Sequence, residues 1–337
     1  RNHSASRRSA GLDQRTNRER SRIATPRQST RIARPSRPFD TTTTWRTPHP
    51  RLYDVAISPR GRVIATCGAN SVCLWSSAGT LLHEFARPGG AFACVKFSPD
   101  GSLLASGGFD GLLHIWELPR SRSARTIRHV ALLGHDTVIN DLDFHFSGLF
   151  LATGGFDQRV IIWNLQTGVA EMTLGNARAE ITSVCFGDET LLATAADGTI
   201  TRWTAGGSSC LTLPGGQLPL CIDHVDEETI WSTSTGHVAW KQEDSVRVMV
   251  PHQGAATAVR MRPTGWFASG GRDGVVRLYF RGRSMVTRTL DGPVGALDVR
   301  RNLIAAATED GSLSIFGQQE RTGLSKAEAT SAGYQAE

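Results

Sequence analysis

The sequence predicts an all-β protein, and three observations lead to that prediction. Short runs alternate between apolar and polar residues, as strands with one buried face do. Turns rich in glycine and aspartate separate these runs, as in LLASGGFDGLLHIWEL at 103–118. The same turn-then-tryptophan stretch returns as FLATGGFDQRVIIWNL at 150–165. Repeated β-hairpins are therefore expected along the chain.

The hairpins recur with a nearly regular period. Aligning the copies on the aromatic residue that follows each turn gives seven units, whose aromatic residues lie 37 to 47 positions apart. Each unit holds roughly four short β-prone runs, and a period of about 40 residues with four strands predicts a propeller. We therefore predict a seven-bladed β-propeller of four-stranded blades. The aligned aromatic residues are Trp75, Trp116, Trp163, Trp203, Trp240, Tyr279 and Phe316.

The two ends of the repeat array predict how the ring closes. The residues after Phe316 show no strand pattern, so the last unit lacks an outer strand. The β-prone segment TTTTWRT at 41–47 precedes the first unit. We predict that this N-terminal strand completes the last blade, because a ring closed in this way leaves no open radial edge.

Charge is distributed unevenly along the chain. Residues 1–40 hold eleven arginines against three acidic residues, whereas the whole chain has a net charge of +6. The basic character therefore belongs to the first forty residues, and the remainder is slightly acidic. We predict a disordered or extended basic Arg/Ser-rich arm at 1–40, the propeller at 41–317 and a C-terminal tail at 318–337.

The cysteines and the arm bear on the compartment. The six cysteines form no Cys-x-x-Cys pair and no spacing suited to zinc, which favours buried thiols in a reducing environment. The arm composition also suits a nuclear-import segment or part of a mitochondrial presequence. We expect an intracellular protein, nuclear or cytoplasmic, with the mitochondrion as the alternative.

Several functions are not expected from this sequence. It contains no apolar run of the length that a membrane span needs, so we expect no membrane insertion. The motifs of nucleotide-binding loops, zinc proteases and serine hydrolases are not found. We therefore expect no catalysis, no metal, no cofactor and no small-molecule substrate.

One unit carries a family resemblance. GHDTVINDLDFHFSGLFLATGGFDQRVIIWNL at 134–165 resembles a complete repeat of the WD-repeat (WD40) proteins, which fold as β-propellers. The resemblance extends over roughly residues 41–317, although TGHVAWKQ in unit five lacks the turn acid and Phe316 replaces tryptophan in unit seven. It implies a noncatalytic scaffold or adaptor subunit that holds other protein subunits of an assembly on its faces.

Unit three brings together four polar residues. By composition, His135, Thr153 and Asp157 suit a hydrolase triad. The resemblance instead implies a structural hydrogen-bond chain, in which Asp157 orients His135, His135 bonds Thr153, and Thr153 reaches the indole of Trp163. We favour the structural interpretation, and we expect the full set only in unit three because the other units offer no equivalent histidine.

The residues just before the turn acids are candidates for partner binding. In a propeller these turns open on one face near the channel, and there Phe109 and Phe156 would form an apolar patch facing Arg272 and Glu309. The alternative is that each phenylalanine folds onto its own blade. A patch at this place also raises a second possible function, a transient reader of a peptide or modified tail at the central opening.

The opposite face is predicted to be basic. Its loops carry six arginines, and the arm before the closing strand would start on the same side. Such a side suits the phosphate backbone of RNA or DNA, or an acidic partner surface. The alternative is a solvated arm without a specific partner. The six loop residues are Arg120, Arg122, Arg125, Arg128, Arg281 and Arg283.

Overall fold

The fold consists of β-strands. A computed structural model of the protein describes residues 42–119, 127–175, 177–243, 245–263 and 265–317. Within these ranges the regular elements are 26 strands and one short 3-10 helix, Pro214–Gly216. The prediction of an all-β protein is confirmed.

The largest sheet holds six strands in the order β2-β3-β4-β5-β6-β7. Its strands follow the first strand of the fold, β1 (Thr42–Arg46). They are β2 (Leu52–Ile57), β3 (Val63–Ser76), β4 (Leu81–Phe97), β5 (Leu103–Gly108), β6 (Leu112–Glu117) and β7 (Arg128–Leu133).

Strands β3 and β4 are long, and each changes its partner along its length. The first half of β3 pairs with β2, and its second half pairs with the start of β4, where Trp75 lies opposite Leu81. The end of β4 pairs with β5, where Phe92 lies opposite Gly108. Asn70 lies where the pairing register shifts between the two halves of β3, and its φ of 72° is a conformation that asparagine tolerates better than most residues. Each long strand thus supplies two segments to the sheet.

Four further sheets follow along the chain, and each has four antiparallel strands in sequential order. The first two contain β8 (Ile139–Phe144), β9 (Phe150–Gly155), β10 (Val160–Asn164), β11 (Val169–Leu174), β12 (Ile181–Phe186), β13 (Thr190–Ala195), β14 (Thr199–Thr204) and β15 (Gly207–Thr212). The next two contain β16 (Pro219–Val225), β17 (Glu228–Thr233), β18 (Val238–Gln242), β19 (Ser245–Met249), β20 (Ala256–Arg262), β21 (Trp266–Gly271), β22 (Val275–Phe280) and β23 (Arg283–Thr289).

The last sheet joins the two ends of the described chain. It contains β24 (Val294–Arg300), β25 (Leu303–Thr308) and β26 (Ser312–Gly317), and β1 pairs with β26 along the free edge. The pairing is antiparallel and continuous over the five residues of β1. The predicted closing role of the N-terminal strand is confirmed by this pairing.

The first strand segment of every repeat contacts the corresponding segment of the next. Contacts run from β2 to β4, β8, β12, β16, β20 and β24, and β24 contacts β2 again. We call these segments the inner strands. We use the term start side for the end of the ring at which the inner strands begin. A closed circle of antiparallel sheets is the architecture of a β-propeller.

Side chains of the inner strands bond the backbone of the neighbouring inner strand. Five of these bonds run from a backbone N–H to an aspartate carboxylate: Val95 to Asp54 (2.9 Å), Val184 to Asp141 (3.0 Å), Phe186 to Asp143 (2.9 Å), Met261 to Asp223 (2.6 Å) and Ile57 to Asp298 (2.7 Å). Three other side chains span the remaining junctions: Cys94 to the Ile139 carbonyl, Ser183 to the Ile222 N–H and Thr257 to the Val294 carbonyl.

The core lies between neighbouring sheets. One cluster joins Ile64 and Trp75 of the first repeat to Ala305 and Leu313 of the last, so apolar burial seals the place where the chain ends meet. The thiols are mostly buried, as the sequence indicated, but Cys210 on β15 is exposed.

Trp45 provides a test of the closing strand. Its side chain packs on the cluster between the last and first repeats, and its ring centroid lies 6.1 Å from that of Trp75. We expect Trp45→Ala to lower the free energy of unfolding by about 1.5–3 kcal/mol, because the buried part of the ring returns to water. Urea denaturation measures the change. Thr42→Ala, at an exposed position of the same strand, is the control and should stay within about 0.5 kcal/mol.

Candidate functional site

The four polar residues of unit three form one continuous chain of hydrogen bonds. His135 Nδ1 lies 2.9 Å from Asp157 Oδ1, and His135 Nε2 lies 2.7 Å from Thr153 Oγ1. The indole Nε1 of Trp163 donates to Thr153 Oγ1 at 2.9 Å. These partners assign the proton of neutral His135 to Nδ1, so Nε2 accepts from the threonine hydroxyl. Every ring nitrogen and hydroxyl of this hydrogen-bond chain then has a partner.

Burial decides what this chain can do chemically. Thr153 is fully buried and Trp163 is nearly so, which leaves no path for a substrate to the hydroxyl. Burial also lowers the pKa of His135, although the hydrogen bond to Asp157 opposes that change. Burial alone would raise the pKa of Asp157, but hydrogen bonds from His135 and the Asp136 N–H bring it below its usual value. The arrangement therefore has a structural role, because it links the turn at Asp157 to the strands that carry Thr153 and Trp163. It does not activate a nucleophile.

The expectation that only unit three has the full set is wrong. In unit six, His252 Nδ1 lies 2.9 Å from Asp273 Oδ1, and His252 Nε2 lies 2.8 Å from Ser269 Oγ. Ser269 also bonds the Tyr279 hydroxyl. The histidine was overlooked because it follows Pro251 instead of glycine and because tyrosine stands in the place of tryptophan.

The predicted partner-binding residues occupy equivalent places on the start side. Each donates its backbone N–H to the carbonyl of the residue that precedes an inner strand: Phe109 to Ala91, Phe156 to Val138, Arg272 to Ala255 and Glu309 to Pro293, at 2.9–3.0 Å. This repeated bond anchors these four turns next to the mouth of the channel.

Both phenylalanines are partly exposed. Phe109 is 43% exposed and Phe156 is 46% exposed, and both line a cavity of about 310 Å³ at the channel mouth. Phe109 does not stand alone, because the Tyr53 ring lies 5.3 Å away between centroids. Val138 lines the same cavity and continues the apolar wall between the two phenylalanines. These rings form an open apolar surface instead of folding entirely onto their blades.

Ion pairs connect the other side of the mouth. Arg272 Nε lies 3.5 Å from Glu309 Oε1, and Arg51 Nη2 lies 3.4 Å from the same oxygen. The Arg51 guanidinium also lies over the Tyr53 ring at 5.5 Å. The structure therefore links the charged pair to the aromatic residues through Arg51 and Tyr53. Sequence reasoning missed both, although their place at the start of the first inner strand was a usable signal.

Charged residues lie below this mouth in the channel. Asp54, Asp141 and Arg260 line the cavity, and Arg260 also borders a second cavity of about 300 Å³ towards the other end. Burial raises the pKa of Asp54 to about 6, although Arg260 and Lys96 oppose that rise. The channel thus combines buried carboxylates with two cations, and Asp54 titrates close to neutral pH.

The predicted basic face is only partly described. Arg120, Arg122 and Arg125 lie outside the described residues, as do the arm and the C-terminal tail. Arg128 opens β7 and is exposed, and Arg283 is exposed at the start of β23.

Arg281 lies among acidic residues. It borders a cavity of about 590 Å³ that Asp226, Glu227, Glu228 and Glu243 also line. Acidic residues therefore interrupt the basic character at this place. The loop composition did not show this, because the acids come from neighbouring turns.

Two negative findings apply to the part of the chain that the structure describes. No helix there is long and apolar enough to cross a membrane. No group of three or more histidine, cysteine, aspartate or glutamate residues there is placed to hold a metal ion.

The fold and its site define a class: a β-propeller built from sequence repeats, with aromatic and charged side chains around a central opening. Within that class, the family model "WD domain, G-beta repeat" matches residues 41–76, 79–117 and 126–164. The resemblance seen in the sequence is thus confirmed for residues 41–164, where three consecutive segments match WD40 repeats.

Two curated proteins share part of the chain. "Protein groucho" of Drosophila melanogaster is 32% identical over 75 residues, which are 22% of this chain and 10% of that protein. "Transcriptional corepressor LEUNIG_HOMOLOG" of Arabidopsis thaliana is 30% identical over 93 residues, which are 27% of this chain and 11% of that protein. The matched part thus spans about a tenth of the length of these curated relatives.

The hydrogen-bond chain of unit three predicts a stability change. Thr153→Ala leaves the buried His135 Nε2 and Trp163 Nε1 without their partner, so we expect a loss of about 1–3 kcal/mol in the free energy of unfolding. Thr153→Ser keeps the hydroxyl and should recover most of that loss. Urea denaturation of both variants measures the difference, and equal destabilisation by alanine and serine would contradict the assignment.

The raised pKa of Asp54 predicts that the free energy of unfolding depends on pH. Its pKa of about 6 in the folded protein exceeds the ordinary 3.8, so the folded protein holds a proton that the unfolded chain has lost between these values. The associated stabilisation is complete below the unfolded value and disappears as the pH rises through about 6. We expect Asp54→Asn to remove about 1 kcal/mol of the stability change between pH 5 and pH 7. Denaturation at both pH values tests this, and an unchanged difference refutes the titration.

Proposed function

We propose that the protein is a noncatalytic scaffold or adaptor subunit of a multi-subunit assembly, which binds other protein subunits through the faces of its propeller. The start-side mouth carries this proposal. There Phe109 and Phe156 expose nearly half of their surface beside the ion pair of Arg272 and Glu309. Exposed aromatic and arginine side chains around a cavity are the usual anchors of protein interfaces.

The WD40 repeats and the two relatives support an interaction role. WD40 propellers are generally not catalytic. In unit three, Thr153 is the residue whose hydroxyl lies in one hydrogen-bond chain with a histidine and an aspartate, and it is buried. One relative is by its name a transcriptional corepressor, which favours a nuclear location for this chain. A cytoplasmic or mitochondrial location remains the alternative proposal.

We propose that the ring has seven blades within residues 41–317. The split pairing of β3 and β4 supports two four-stranded blades within the six-stranded sheet, and the other five sheets supply one blade each. The seven successive contacts between inner strands support the same count. The basic arm would then comprise residues 1–40, and the C-terminal tail would comprise residues 318–337.

The arm is proposed to contact RNA, DNA or an acidic partner surface. Its eleven arginines support this role, because each guanidinium can form a bidentate contact with a phosphate or a carboxylate. We propose the same kind of contact for the loop arginines, of which Arg128 and Arg283 are exposed.

A second candidate function is a transient reader of a short peptide or modified tail. The observation in its favour is the shape of the mouth, where Tyr53, Phe109 and Phe156 surround a cavity above the carboxylates of Asp54 and Asp141. An apolar or cationic side chain fits such a rim and floor. A scaffold and a reader differ in the number of partners and in their dependence on this mouth.

Affinity purification of the full chain distinguishes these functions. We expect several proteins to co-purify in mild salt, and mass spectrometry should show that Phe109→Ala with Phe156→Ala loses a subset of them. Met285→Ala, an equally exposed apolar position on β23, should lose none. A chain recovered alone, and monomeric by light scattering, would overturn the scaffold proposal.

The same experiment separates the reader and the arm. A reader loses its one partner peptide in the double variant, whereas a scaffold keeps other partners. Deleting residues 1–40 should remove salt-sensitive binding to RNA and leave the propeller folded by circular dichroism. Partners that survive the double variant but require residues 1–40 count against the reader.

A further inference from the structure

A second surface lies between the sheet of β8–β11 and the sheet of β12–β15, away from the start-side mouth. Ile162, Met172 and Leu174 from β10 and β11 face Leu191 and Trp203 from β13 and β14 across a cavity of about 410 Å³. We call it the Trp203 groove. Its lining is mostly apolar, and Met172 is 52% exposed. The groove is large enough for one or two side chains of another molecule.

Trp203 differs from the other aligned aromatic residues. The six others are at most 5% exposed, whereas Trp203 is only half-buried. The indole packs on the cluster that contains Val184 and Leu191, and the rest of it faces solvent. Tryptophan is the residue most enriched in energetically important interface positions, so its exposure here indicates a contact surface.

Thr190 also lines the groove, and its Oγ1 atom is buried without a hydrogen-bond partner among the described residues. Phe186 and His145 complete this wall, with ring centroids 5.3 Å apart.

The rim of the groove is acidic. Asp188 and Glu189 form the turn between β12 and β13, line the groove and are exposed. Within the described ranges, no side chain forms an ion pair with either of these two acids. Their uncompensated charge favours a basic partner.

We propose that the Trp203 groove docks an extended segment of a partner protein that carries one or two large apolar side chains flanked by arginine or lysine. The apolar side chains would fill the space over Trp203 and Met172. The flanking cations would meet Asp188 and Glu189. Strands β11 and β15 are exposed along their lengths, so an extended chain can pass between them without displacing any strand.

The groove is separate from the site of the proposed function. The acids on its rim follow an inner strand, at the end of the ring opposite the start side, whereas Phe109 and Phe156 lie on the start side. Partners could therefore occupy both places at once. The two sites can also be tested independently, because they share no residue.

A peptide array provides the test. The array holds equal-length extended peptides with leucine or phenylalanine anchors, flanked by arginine, by serine or by glutamate. We expect the full chain to bind the arginine-flanked peptides best and to change its tryptophan fluorescence on binding. Trp203→Phe should remove most of that change, which distinguishes this groove from the other tryptophans.

Three variants decide the result. Met172→Glu should weaken binding about tenfold or more, because the exposed methionine is part of the apolar wall. Met285→Glu, equally exposed on β23, is the matched control and should bind normally. Asp188→Arg with Glu189→Arg should shift the preference to glutamate-flanked peptides.

The outcomes that overturn the proposal are distinct from those for the start-side mouth. Absence of any preference for arginine-flanked peptides, or a preference that survives the charge reversal, rejects it. Self-association that Met172→Glu abolishes assigns the groove to a second copy of the chain and also rejects it. Phe109→Ala with Phe156→Ala should leave array binding unchanged, so failure at one site does not decide the other.

Discussion

The bonds between neighbouring inner strands are the constraint on which the rest of the structure depends. Asp54, Asp141, Asp223 and Asp298 each accept a backbone N–H from the next inner strand, and Cys94, Ser183 and Thr257 span the other junctions. Sheets in a propeller share no backbone ladder with their neighbours, so these side chains supply the directional links that apolar packing lacks. Each junction must form for the circle to close, and β1 completes the sheet at which it closes.

The same constraint positions the interaction surfaces. Phe109, Phe156, Arg272 and Glu309 have fixed places around one mouth, because each is bonded to the entry of an inner strand. The carboxylates that link the strands also line the channel, and burial there raises the pKa of Asp54 to about 6. Stability and the electrostatics of the mouth therefore depend on the same residues.

Part of the site was predictable because the repeat carries it locally. His135, Thr153, Asp157 and Trp163 lie within one unit, and the repeat spacing places their strands side by side. The equivalent set around His252 was missed, because its flanking proline and its tyrosine depart from the pattern even though the geometry is kept. Local departures of this kind do not disturb a fold that is held by the whole ring.

By itself, the sequence determined the strand class, the repeat period, the hydrogen-bond chain of unit three and the pairing of the N-terminal strand with the last sheet. These depend on alternation and spacing, which are local properties of the chain. Only the tertiary structure decided that Arg51 and Tyr53 join the mouth, that acids surround Arg281, and that Trp203 is only half-buried. The reason is that exposure and charge at these positions depend on neighbours from other repeats, which a linear pattern does not specify.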